Sequence, residues 1–164
     1  MGMVADFLFD KHHEEGFSEM KLSGTHKFKG ATCAQVFRTV LNPEVLKASI
    51  PGSNSVAYSS PTSLRVEISP SIPGLRGPYS VDINIVRAQE PNFLELQVAR
   101  QGRGGSINAT AQITLTAEAD GTQLSYEGNA DLDGTIAMLN NPLGQGAVKS
   151  GLNSFFNNIE KHIA

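Results

Sequence analysis

Tryptophan is absent from this chain, and cysteine occurs once, as Cys33. A single thiol excludes an intrachain disulfide framework and any cysteine-rich metal site. Long hydrophobic runs are missing too, and no apolar stretch approaches the ~20 residues of a membrane span. The N-terminus has no positively charged lead, and its apolar Phe7, Leu8 and Phe9 are halted by Asp10, so no secretory signal is expected. Basic clustering is also lacking. Lys and Arg number 13 against 16 Asp and Glu, and the formal net charge is −3. A nucleic-acid footprint needs a basic patch to collect phosphates, so no nucleic-acid partner is expected. The expected address is cytoplasmic.

What remains is a chain of 164 residues, enough for one domain with a substantial core. Residues 1–19 read as an extension. Val4, Phe7 and Leu8 fall at helical spacing before the polar run from Lys11 to Glu15 stops at Gly16. A short docked helix, a non-native start and a sticky helix for a membrane or partner all fit that pattern. Residues 20–164 form the domain proper.

The first strand alternates, with Leu22, Gly24, His26 and Phe28 on one face and Lys21, Ser23, Thr25 and Lys27 on the other. Thr32 with Gln35 then makes a capping box. Cys33, Val36, Phe37, Val40 and Leu41 follow on one helical face. Asn42 caps a second short helix whose first residue is Pro43, where the missing N–H costs nothing.

From Ser53 the period changes to two. Leu64, Val66 and Ile68 share a parity; so do Tyr79, Val81, Ile83 and Ile85; so do Leu94, Leu96 and Val98. Ile107, Ala109, Ala111, Ile113 and Leu115 follow, then Leu124, Tyr126, Gly128, Ala130 and Leu132. Turn chemistry separates these runs, which predicts an antiparallel meander with one wet and one buried face. Ile136 and Leu139 return to helical spacing. After Asn141 and Pro142, the residues Leu143, Ala147, Val148, Leu152, Phe155, Ile159 and Ile163 predict a terminal helix ~33 Å long, which Pro142 either kinks or, the favoured reading, opens as first residue after an Asn141 cap. Its glycines weaken it by ~1 kcal/mol each, so packing must hold it. This order of elements predicts an α+β helix-grip fold, a curved antiparallel sheet around a long C-terminal helix.

Three stretches, MKLSG (20–24), NPEVLKASIPG (42–52) and the hairpin NATAQITLT with GTQLSYEGNA (108–130), resemble the CoxG family of carbon monoxide dehydrogenase proteins. That family belongs to the START-like, polyketide-cyclase-like (SRPBCC) superfamily, and the resemblance covers residues 20–164. It implies an apolar ligand between sheet and terminal helix, with quinone as the foremost candidate. It further implies a molybdenum-containing dehydrogenase as partner and peripheral contact with the inner face of the membrane. Several members carry a C-terminal tail that this sequence, ending at Ala164, does not show.

The buried parity of the last two strands is unusually small: Ala109, Ala111, Gly128 and Ala130 stand where Val or Ile would fill space. Either the helix lies closer there, its own glycines matching, or the volume is left for a ligand. The expected lining of such a cavity is Val66, Ile68, Tyr79, Val81, Ile83, Leu96 and Val98 with those four small residues. Ile136, Leu139 and Leu143 would stand at the mouth, and Val148 and Leu152 would face it from the helix.

Polar groups on that parity are few: His26, Tyr79 and Tyr126. His26 can donate to a quinone or ketone oxygen or be a satisfied rim histidine. The tyrosines read as core aromatics with hydroxyls at the rim. Every strand carboxylate (Glu67, Asp82, Glu95, Glu127, Asp131) has the outward parity, a thin basis for acid–base catalysis. Binding without chemistry is therefore the leading expectation. A cyclase- or hydrolase-type enzyme and a ligand-free recruitment factor are the rivals. No resident cofactor or metal is expected. Cys33 reads as an inert buried thiol, Gly102 to Gly105 as a hairpin loop, and His12 to Glu15 as a solvated face.

Overall fold

A computed structural model describes residues 18–70, 75 and 77–163; the expectations for residues 1–17 fall outside them. Strand β1 (Ser18–Lys29) is followed by helices α1 (Cys33–Thr39) and α2 (Pro43–Ser49). The meander comprises β2 (Ser53–Ser60), β3 (Ser63–Ile68), β4 (Tyr79–Gln89), β5 (Phe93–Arg100), β6 (Ile107–Glu118) and β7 (Gly121–Leu132). A 3₁₀ turn η1 (Gly134–Leu139) leads into α3 (Pro142–Lys161). The strands make one antiparallel sheet in the order β1-β7-β6-β5-β4-β3-β2, so the chain's first strand closes against its last. The α+β helix-grip architecture read from the sequence is the one observed. β1 begins at Ser18, slightly before the expected domain start.

The local signals act as the physics requires. Gln35 N–H donates to Thr32 Oγ1 at 3.1 Å while Thr32 N–H donates to Gln35 Oε1 at 2.8 Å, completing the capping box. Asn42 Oδ1 accepts from Glu44 and Val45 N–H ahead of α2. Asn141 Oδ1 accepts from Gly144 N–H at 2.8 Å, so Pro142 opens α3 as its first residue and does not kink it. Register shifts between Ser53 and Ser55, Tyr58 and Ser60, and Ile85 and Arg87 bend the far strands. Such bulges increase twist and curl the sheet toward the helix.

Two apolar clusters form. One gathers Phe28, Val36, Phe37, Leu46, Leu64, Leu94, Leu124, Phe156 and Ile159 beneath α1, α2 and the C-terminal half of α3. The other gathers Met20, Leu75, Tyr79, Leu132 and Ile136, with Leu139 and Val148 against it. Polar ties fix the long helix at both ends. Asn140 Nδ2 donates to Glu19 O at 2.8 Å beside its start, and Asn158 Nδ2 to Ser49 O at 3.1 Å near its end.

The glycine loop between β5 and β6 is a docking surface for backbone. Gly105 has φ +121, and a Cβ there would lie 2.0 Å from Asp133 O. Only glycine lets the two segments come that close. Ile136 N–H then donates to Gly104 O at 3.0 Å, and Ser106 N–H to Asp133 Oδ1 at 2.6 Å. The loop holds η1 over the second cluster.

Candidate ligand-binding site

Register places the small residues in two adjacent rows across the inner face. One row runs Leu22, Gly128, Ala111, Leu96, Ile85; the other runs Met20, Ala130, Ala109, Val98, Ile83, Leu64. Residues directly opposite in an antiparallel pair share a face, so these rows form one apolar strip. Met20, Ala130, Ile83, Ile85 and Leu64 join one core cluster or the other, and Leu22 touches both. Leu96, Val98, Ala109 and Ala111 join neither, and all four are half-buried. The middle of the strip therefore lies between the two cores without being absorbed by either.

Gly128 shows how much room the middle of the strip has. A Cβ at Gly128 would meet only neighbouring-strand backbone, Thr110 O at 3.6 Å and Leu22 O at 4.0 Å. No atom of α3 lies within 4 Å of that Cβ position.

The expected lining residues sort around this strip. Val66 is buried on β3 with Val56 and Val81 beside it in register. Ile68, Tyr79, Val81, Ile136, Leu139 and Val148 belong to the second cluster, and Leu152 packs against the first. Two residues stand apart. Leu143 is 78% exposed and points roughly opposite to Leu152 on the helical wheel, so it faces solvent and not the strip. His26 sits about 13 Å along β1 from Leu22. Its Nε2 lies 2.9 Å from Glu160 Oε1 on α3, and its ring contacts Phe28 and Phe156. It ties the first strand to the last helix.

Tyr126 is the polar group nearest the strip's far end. Its ring lies 5.5 Å from Phe156 and crosses over Gly24, where an added Cβ would fall 2.6 Å from the hydroxyl. The hydroxyl has no hydrogen-bond partner among the described residues. Burial raises its pKa above 10.0, so it stays protonated and can donate, not abstract, a proton near neutrality.

Arg100 is absent from the expected lining, which ends on β5 at Val98; extending the same parity by two residues finds it. It pairs with Ile107 across β6, and its guanidinium lies 4.8 Å over the Tyr79 ring. Nη1 donates to Gly105 O.

Elsewhere the charges are outward. Arg65 Nε donates to Asp82 at 3.0 Å, and Lys27 meets Asp120 at 2.6 Å and Glu118 at 3.2 Å. The Lys27 hydrogen bond holds Asp120 below its ordinary value. Two surface depressions, of about 530 and 640 Å³, lie on this outer side. Polar side chains such as Thr110, Gln112 and Glu127 line the first, and Asp82, Gln97 and Asn108 the second, which reaches Arg100. Among the described residues no group of three or more His, Cys, Asp or Glu converges as a metal site, and no helix is long and apolar enough to cross a membrane.

An apolar strip with few polar groups suits binding. The profile of the carbon monoxide dehydrogenase CoxG family matches residues 29–164. The chain belongs to the CoxG family. Among solved structures, a conserved protein from Geobacillus kaustophilus superposes with a TM-score of 0.80 at 26% identity, covering 88% of this chain and 95% of that one. The di-domain ARO/CYC protein BexL from the BE-7585A biosynthetic pathway gives 0.64 at 14% identity, over 88% of this chain and 50% of that one. Ara h 8.0201 gives 0.61 at 15% identity, over 89% and 98%. Comparison with curated proteins finds no match. These matches give the family and the fold.

Proposed function

We infer that this protein holds a lipophilic small molecule, a quinone or a lipid-like compound, between the inner face of its sheet and α3, and performs no chemistry on it. The observation that carries this reading is the half-buried strip of Leu96, Val98, Ala109 and Ala111, outside both core clusters. Apolar surface left near water forgoes about 25 cal/mol per Å² of stabilisation, a deficit that a bound apolar molecule removes. Gly128 supports the same reading, since no atom of α3 lies within 4 Å of its Cβ position.

The family's name supports a second element, an accessory role beside a carbon monoxide dehydrogenase, which the resemblance noted from the sequence makes a molybdenum-containing one. In that setting the ligand would serve the dehydrogenase, and any membrane contact would be peripheral. Native mass spectrometry of the protein from its own host, with lipid extraction, tests both elements. A co-purifying quinone or lipid is the expected result. Ligand-free protein bound to a dehydrogenase would replace the carrier reading with recruitment alone. An enzyme of the superfamily's cyclase type would instead show turnover that Tyr126→Phe abolishes while affinity for apolar compounds survives.

A further inference from the structure

The strip is apolar along its length and unequal at its ends. Tyr126 stands at one end with a neutral hydroxyl. At the other, beyond Val98 and Ala109, the row of Leu132, Ile107 and Arg100 brings a guanidinium to the inner face. From Tyr126 to Leu132 along β7 is about 20 Å, so the two polar ends bracket a long apolar floor.

Arg100 is half-buried, stacked on Tyr79 and bonded to Gly105 O, and it makes no ion pair among the described residues. Asp133, the carboxylate of the adjoining loop, accepts from Ser106 N–H instead. The ring and the single carbonyl use one face and one N–H of the fork. A guanidinium presents five donors and matches a carboxylate in a bidentate way. Leaving such a charge partly desolvated without a counter-charge is costly, and an anionic group arriving with a ligand removes that cost.

We propose that the molecule held on the strip is an amphipathic carboxylic acid whose headgroup pairs with Arg100 beside Tyr79 while its apolar body lies along Val98, Ala109 and Ala111. This rests on the lipophile-binding reading and narrows it to the lipid-like, acid-headed class over the neutral quinone.

The test uses the full chain and N-phenyl-1-naphthylamine, a neutral fluorescent lipophile, displaced by dodecanoate or by dodecanol at pH 7.5. The expected result is that dodecanoate competes roughly tenfold to hundredfold better than dodecanol, and that added salt erodes this preference. Arg100→Gln should collapse the dodecanoate-to-dodecanol ratio toward one, and Arg100→Lys should retain part of it. Melting curves accompany each variant. If Arg100→Gln does not fold, the Lys variant and the salt series on the unaltered chain decide. Equal competition by acid and alcohol overturns the proposal and leaves the lipophile-binding reading standing. Failure of the naphthylamine itself to bind overturns both.

Discussion

Gly24 and Gly128 belong to neighbouring inward pairs of β1 and β7, Gly24 opposite Tyr126 and Gly128 opposite Leu22, and they predict opposite outcomes. Neither has a positive φ, so backbone strain does not decide between them. At Gly24 a methyl collides with Tyr126, its nearest atoms at 2.6 to 2.9 Å. Gly24→Ala should therefore destabilise by about 1–3 kcal/mol as the ring is pushed off its seat. At Gly128 a methyl meets nothing closer than 3.6 Å, and Gly128→Ala should stabilise by about 0.4–1 kcal/mol by restricting the unfolded chain. Chemical denaturation of the two variants checks the pair. Tyr126 gives a pH signature. Burial raises its pKa and that of Tyr58 above 10.0. The unfolded phenols ionise first, so the stability they contribute is intact below pH 10 and falls as pH rises through their folded values. Tyr126→Phe should flatten part of that alkaline loss, measured by denaturation between pH 9 and 11. At this scale the inward parity of the small residues was legible from alternation alone. The engagement of His26 by Glu160 was not, because those residues meet only when β1 and α3 pack.

Elements followed their local chemistry more closely than single residues did. The caps at Thr32, Asn42 and Asn141 lie within one turn of the helices they start, so sequence spacing suffices to find them. β2 is the exception. Its sequence, SNSVAYSS, carries little apolar alternation, and its place at the sheet edge depends on pairing with β3 and on the Tyr58 hydroxyl donating to Leu41 O at 2.7 Å. The helix α3 carries three glycines that weaken it, and it persists because Leu152, Phe156 and Ile159 are packed. Ending the chain after Gly151 removes all three packed residues and should abolish cooperative melting and probe binding together. A truncated chain that still melts cooperatively would contradict this account of the fold. Glu160→Ala, which leaves α3 in place but cuts its tie to His26, should cost about 1 kcal/mol and leave the melt cooperative.

For the whole molecule, polar contacts tie the terminal helix near both ends, Asn140 to Glu19 O beside its start and Asn158 to Ser49 O near its end. The fold class was legible from element order, since one strand, two short helices, a meander and a long helix admit few other closures. Whether the small inward residues let the helix descend or left space beneath it was not legible. That depends on the crossing path of α3, which the sheet's bulges and the docking of η1 on the glycine loop set jointly. The outer-face depressions could not be anticipated either, because they arise from polar side chains over the sheet's curvature.

The central claim is that a lipophile occupies the inner strip. Alanine-methyl NMR with N-phenyl-1-naphthylamine tests it most directly, because aromatic rings shift the methyls they cover. Ala109, Ala111 and Ala130 have the inward parity, while Ala57 and Ala99 have the outward one and serve as controls. The account predicts saturable shifts at the first three and none at the controls. Shifts at Ala57 or Ala99 alone, or no shifts at all, would contradict it.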